Sequence, residues 1–194
     1  VDENQTAVTT VVGTDVDVEP LTYALVSGAG DNGSFAITSG GVLTFNSAPD
    51  FEDPQGVGGN VYEAVVQVSD GDLTDTATIS VTVGDVNDAP VAVADTAMTD
   101  EDTPASGNVI ANDLDEDAGD GPSGTALTVS AVGNVASDVG AAVAGSNGGT
   151  FTINSDGSWD FDPGGAFQDM AVGDADRVTT VSYTASDDEG LEDT

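Results

Sequence analysis

The sequence predicts an all-β chain built as two tandem antiparallel Greek-key β-sandwiches, and three observations predict it. Short runs of Val, Ile, Leu, Phe and Thr alternate with polar residues at a period of two. Gly, Asp, Asn and Pro interrupt those runs at close intervals. No stretch keeps a helical period that competes with them. A hydrophobic fraction of 38% is enough to fill a sandwich core, and 194 residues divide into two domains of about a hundred residues each.

In the first half, strands are predicted over 7–12, 21–26, 34–38, 42–45, 61–68 and 76–83. The run from Thr76 to Val83 puts Ala77, Ile79, Val81 and Val83 on one face and hydroxyl residues on the other, as in a half-buried antiparallel strand. Asn32-Gly33 is a hairpin turn signal. In the second half, strands are predicted over 90–97, 108–110, 126–132, 150–154, 158–161 and 178–185, with Asp156-Gly157 as a tight turn. The segment Ser69-Asp70-Gly71-Asp72-Leu73-Thr74-Asp75-Thr76 returns, with one residue inserted, as the stretch from Ser186 to Thr194. That echo argues for two related modules, 1–88 and 89–194. In the first module the segment leads straight into the last strand. The second is therefore expected to lack its terminal strand, which leaves an open edge.

The chain carries 36 acidic residues against one basic residue, Arg177, for a formal net charge of -35. Such a surface repels nucleic acid phosphates and anionic lipid, so no nucleic acid partner is expected. Neighbouring carboxylates about 4 Å apart repel by roughly 1 kcal/mol in water and by up to about 4 kcal/mol at a protein surface. A chain of this charge is either disordered or neutralised by something divalent, and the supply of alternating apolar runs argues against disorder. There is no Cys, so disulfides do not staple the chain, and metal is the alternative staple for an extracellular protein. No apolar run reaches the length of a membrane span, and no membrane insertion is expected. Val1 opens the chain without Met or a signal-peptide pattern, which suggests an excised piece of a longer protein.

Asp85-Val86-Asn87-Asp88-Ala89-Pro90 packs three oxygen-bearing side chains into four positions before a proline. This is poor strand and poor helix, but a good cage for a hard cation. Here the chain resembles the bacterial cadherin-like domains, and in its second half VCBS-type repeats, of large surface or secreted RTX-type adhesins. The resemblance implies calcium held at the junction of successive modules. It assigns Glu3 as the early Glu, Asp50 and Glu52 as an Asp-x-Glu pair, and Asp85, Asn87 and Asp88 as the linker. From the second module it assigns Asp113 and Asp115 as an Asp-x-Asp pair and Asp187 as a later Asp. Calcium takes six to eight oxygens, more than one loop readily supplies, which accounts for a ligand set spread along the chain. By the same resemblance Asp15, Asp17 and Asp70 would receive an upstream module, and Glu101, Asp160 and Asp162 would serve a junction beyond Thr194. The linker departs from the pattern at Ala89, where many cadherins carry Asn.

Asp113 to Asp117 also has the alternating acids that open an EF-hand loop, but Ala118 and Gly124 stand where that loop requires Gly and Glu. Trp159, Phe161 and Tyr183 admit two readings, a sugar-stacking platform or core aromatics under a short hairpin. Carboxylate pairs alone are uninformative in so acidic a chain, and without His or Cys no enzymatic role is expected. The expected function is a calcium-rigidified extracellular repeat of a bacterial adhesin, a stalk or spacer in cell-surface adhesion. A calcium-dependent polysaccharide-binding module is the alternative. Expected partners are calcium, neighbouring repeats of the same chain, and surface glycans or a homophilic partner.

Overall fold

A computed structural model describes residues 1–17, 19–117, 127–171 and 173–194. Ala118, Gly124 and Ala126, on which parts of the EF-hand and strand expectations fall, lie outside the described residues. The chain divides into two compact units, Val1–Val86 and Asn87–Thr194.

The first unit contains β1 (Ala7–Thr10), β2 (Thr22–Leu25), β3 (Phe35–Ile37), β4 (Val42–Phe45), β5 (Val61–Ser69) and β6 (Thr74–Thr82). They form two antiparallel sheets, β1-β4-β3 and β2-β5-β6, so the chain passes between layers at β1 to β2, β2 to β3 and β4 to β5. Between the layers Phe35 stacks on Phe45 with centroids 4.6 Å apart, and Tyr62 meets Phe45 edge-on at 5.1 Å. Leu43, Ala64, Val81 and Val83 complete this core. Alternation explains which residues of β6 enter it: Ile79, Val81 and then Val83 face inward, and Thr78, Ser80 and Thr82 face out. The pairing of β5 with β6 is unbroken from Val61↔Thr82 to Ser69↔Thr74.

Asn32-Gly33 does not make a hairpin. Asn32–Ser34 is a 3-10 turn between β2 and β3, which belong to different sheets. The reason is the Asn32 side chain, which is buried and used as a plug. Its amide donates to the carbonyls of Val26 (2.6 Å) and Val65 (2.8 Å), and its oxygen accepts from the Val65 N–H. The neighbouring Asp31 carboxylate is also buried and accepts the N–H groups of Val57 (2.9 Å) and Glu63 (2.7 Å).

The second unit contains β7 (Ala105–Asn108), β8 (Thr128–Val132), β9 (Ala142–Ala144), β10 (Thr150–Ile153), β11 (Ser158–Asp162), β12 (Tyr183–Ser186) and β13 (Glu192–Asp193). Its sheets are β7-β11-β10-β9 and β13-β12-β8, all antiparallel. Val109, Ile110, Leu127, Val129, Val132 and Ile153 form the core. Asp156-Gly157 does turn the chain between β10 and β11, with Gly157 at φ 77° and its N–H donating to Asn154 O.

The run 90–97 is not a strand, although it alternates like one. Val91 exchanges both backbone bonds with Leu114 in an isolated bridge, but Val93 N–H donates to Asp113 and Ala92 N–H to Asp193. Side-chain carboxylates take the donors that a neighbouring strand would have taken. Likewise only the end of 178–185 is strand, because Thr180 is tied to Ser146, whose hydroxyl accepts its N–H and whose own N–H donates to the Thr180 carbonyl.

Candidate metal centre

In the first unit the acidic residues gather where three segments meet. The N-terminal residues bridge the exit from β6 through Asp2↔Gly84, and Glu3 N–H donates to Gly84 O. The buried Glu3 carboxylate then accepts from Phe51 N–H at 2.7 Å and from Val86 N–H at 2.8 Å. Asp50 closes the turn after β4, its Oδ1 accepting from Glu52 N–H (3.0 Å) and Asp53 N–H (2.9 Å). Asn60 donates to the Phe51 carbonyl and holds that turn in place. Glu52 is half-buried and Asp85 is exposed. Glu3 thus ties together the segments carrying Asp50, Glu52 and Asp85.

In the second unit Asn87 donates to Asp187 Oδ2 at 2.8 Å, and Asp88 N–H donates to Asp117 Oδ2 at 2.8 Å. Asp187 is buried. Burial pushes its carboxyl up, but the Asn87 amide and the N–H groups of Leu191 and Gly190 outweigh that and hold it below the usual range. Asp115 lies among these groups. Burial raises its carboxyl, the Asp117 N–H opposes the rise, and the charges of Asp117 and Asp187 add to it. Its Oδ2 is buried and accepts no hydrogen bond. A buried acceptor in this state, beside the charges of Asp117 and Asp187, has the chemistry of a ligand for a hard divalent cation.

Asp113 is differently used. It is fully buried, and its two oxygens lie 2.9 and 3.0 Å from Tyr183 OH, with Val93 N–H donating to Oδ1 at 2.8 Å. The Tyr183 hydroxyl is correspondingly hard to ionise, first through burial and then through this carboxylate. Asp113 also repels Asp95, whose carboxyl is raised by burial and by that charge.

The two units share a local geometry that singles out Asp117, which the sequence analysis did not select. In the first unit Asp17 N–H donates to Asp15 Oδ1, and Asp70 Oδ1 accepts from Asp72 and Leu73 N–H. In the second, Asp117 N–H donates to Asp115 Oδ1, and Asp187 Oδ1 accepts from Gly190 and Leu191 N–H. Asp115 and Asp117 therefore correspond to Asp15 and Asp17, a frame two residues later than Asp113 and Asp115.

The remaining candidates do not gather in this way. Asp162 Oδ1 caps Gly164 N–H, and at Glu101 it is the backbone carbonyl that accepts from Gln168, at 3.4 Å. Of the aromatic trio Phe161 is buried, half-buried Tyr183 is bound to Asp113, and half-buried Trp159 lies close to Gly107, both of these rings packing against the core of the second unit. Among the described residues no helix is long and apolar enough to cross a membrane.

The family model of the bacterial cadherin-like domain matches residues 87–194, and that of a bacterial Ig domain matches residues 1–82. A search of curated proteins finds no match. Among solved structures, human protocadherin-24 EC1-2 aligns at 22% identity and TM-score 0.51, covering 98% of this chain and 80% of that one. A second crystal form aligns at 21% identity and TM-score 0.52, covering 94% and 78%. Drosophila N-cadherin EC1-4 aligns at 18% identity and TM-score 0.51, covering 100% of this chain and 43% of that one. These likenesses show the fold.

Proposed function

Because the chain belongs to the bacterial cadherin-like family, we propose that it is an extracellular adhesin-type repeat stiffened by calcium, a stalk or spacer segment of a bacterial surface protein. Modules of this kind are adhesive and structural rather than catalytic. The observation that carries the calcium reading is the buried, unpartnered Oδ2 of Asp115 beside the charges of Asp117 and Asp187. Without a cation this arrangement is unfavourable at neutral pH, and calcium supplies the positive charge and the open coordination that relieve it.

The proposed ligands in the second unit are Asn87, Asp88, Asp115, Asp117 and Asp187, with Asp117 taking the part first expected of Asp113. In the first unit they are Glu3, Asp50, Glu52 and Asp85. The two sets lie at either end of one short stretch of chain, 85–88, so calcium bound by each would stiffen the ends of that stretch. Folding and stiffness then become linked to metal. Sites of this extracellular kind bind with dissociation constants of about 0.1 to 1 mM, so they fill outside a cell and empty inside it. Neighbouring repeats of the same chain are the partners this role requires.

The test is small-angle scattering of the chain in chelator and then in millimolar calcium. The expected result is a single, narrower distribution of interatomic distances in calcium and a broad one in chelator. Identical profiles in both, at calcium levels where calorimetry records no binding, would remove calcium from the account.

A further inference from the structure

We propose that the Arg177–Val178 peptide bond is a processing site for a protease that cuts after a basic residue, and that Asp169 guards it by holding the arginine side chain. The chain gives such an enzyme a single address. Arg177 is the only Lys or Arg among 194 residues, so whether this chain is open to a protease of that class is decided at one side chain.

The backbone there is ready for a protease cleft. Nicking concentrates where exposed chain is free of backbone pairing. Residues 173–178 are exposed and belong to no helix or strand. No hydrogen bond among the described residues engages the backbone of Ala175, Asp176 or Arg177. Just beyond the bond the chain is gripped: Asn147 donates to the Val178 carbonyl at 2.6 Å, the Thr179 hydroxyl to the Gly148 carbonyl at 2.8 Å, and Thr180 N–H to the Ser146 hydroxyl at 2.9 Å. The scissile bond therefore lies at the border between a free and a held segment.

The side chain is what is withheld. Two guanidinium nitrogens of Arg177 donate to the two oxygens of Asp169 at 3.0 and 3.1 Å, a bidentate fork. Its Cζ lies 5.8 Å from the centroid of the buried Phe167 ring, and the charge of Asp174 adds to the hold. A trypsin-like protease selects arginine with a carboxylate in its specificity pocket. Asp169 offers the same chemistry, so the two compete for one guanidinium. An exposed ion pair is weak and screened by salt, so the guard slows cutting rather than forbidding it. Hydrolysis adds water across the bond and leaves a carboxylate on Arg177 and an ammonium on Val178. The piece 178–194 keeps β12, which pairs with β8 from Tyr183↔Val132 to Ser186↔Thr128 and buries Ala185. The cut therefore leaves the two pieces joined.

The test is digestion of the whole chain with trypsin, in calcium and again in chelator so that the outcome is independent of the metal reading, with each rate normalised to cleavage of a small arginine ester in the same buffer. The native chain is expected to be cut once, after Arg177, at a rate insensitive to low denaturant, and to keep its uncut mass when sized under native conditions. Asp169→Asn is expected to raise the rate about two- to fivefold, the factor an exposed ion pair holds, and added salt to erase the difference between the two chains. Resistance of the native chain at doses that cut the unfolded chain, a rate that follows global unfolding, equal rates for Asp169→Asn and the native sequence, or separation of 178–194 on cutting would each overturn the inference.

Discussion

Replacing Asp115 by Asn separates a metal ligand from a structural acid, because the two roles predict opposite signs. The folded unit penalises the charged form of Asp115, first by burial and then through Asp117 and Asp187. A carboxyl raised in this way favours folding below its ordinary titration range, and that contribution is lost as pH rises through the raised folded value. At neutral pH in chelator, Asp115→Asn therefore removes a repulsion. Two carboxylates in contact at a protein surface repel by up to about 4 kcal/mol, and discounting for salt and solvent leaves a gain of about 1 kcal/mol, or roughly 4 to 8 °C in Tm for a domain of this size. In calcium at a hundred times Kd the native chain gains about 2.7 kcal/mol. A variant with tenfold weaker affinity gains about 1.4 kcal/mol, so the calcium-induced shift is roughly halved. The assay is thermal melting followed by Trp159, the single tryptophan, which lies in this unit. If Asp115→Asn destabilises equally in chelator and calcium, or keeps the full calcium shift, Asp115 is a structural acid and the proposed ligand set fails.

Tyr183→Phe removes the hydroxyl that both Asp113 oxygens share. It is expected to cost about 1.5 to 3 kcal/mol while leaving the calcium midpoint unchanged, and a large loss of affinity by calorimetry would return Asp113 to the ligands. Asp31→Asn leaves only one acceptor oxygen for the N–H groups of Val57 and Glu63. A loss of about 1 to 3 kcal/mol is expected in denaturant unfolding of the first unit, the same with and without calcium. Gly107→Ala builds a Cβ 2.8 Å from Trp159 Nε1. It is expected to displace the indole, shift its emission and destabilise by about 1 to 3 kcal/mol; an unchanged spectrum would place the ring elsewhere.

Period-two alternation made most strands legible, including β4 at Val42–Phe45 and the long pair β5 and β6. It also misled at 90–97, because the pattern is the same whether a strand or the carboxylates of Asp113 and Asp193 take the backbone donors. β9 went unread because Ala142–Ala144 offers a single valine to alternate. The acidic stretch failed by the same arithmetic. In an extended segment Asp113, Asp115 and Asp117 all point to one side, so the sequence reveals a row of three acids but not which is deepest. Depth is fixed by Tyr183, seventy positions away, whose hydroxyl claims Asp113 and so leaves Asp115 and Asp117 beside Asn87, Asp88 and Asp187. Glu3 shows the same dependence, since its partners Phe51 and Val86 come from distant parts of the first unit. On the proposed reading, which acids are ligands is set by which neutral donors the fold brings to the others, and Tyr183→Phe with Asp113→Asn in one chain should recover part of the lost stability without moving the calcium midpoint, because the buried charge leaves together with the hydroxyl that satisfied it, while the Asn oxygen can still accept from Val93 N–H.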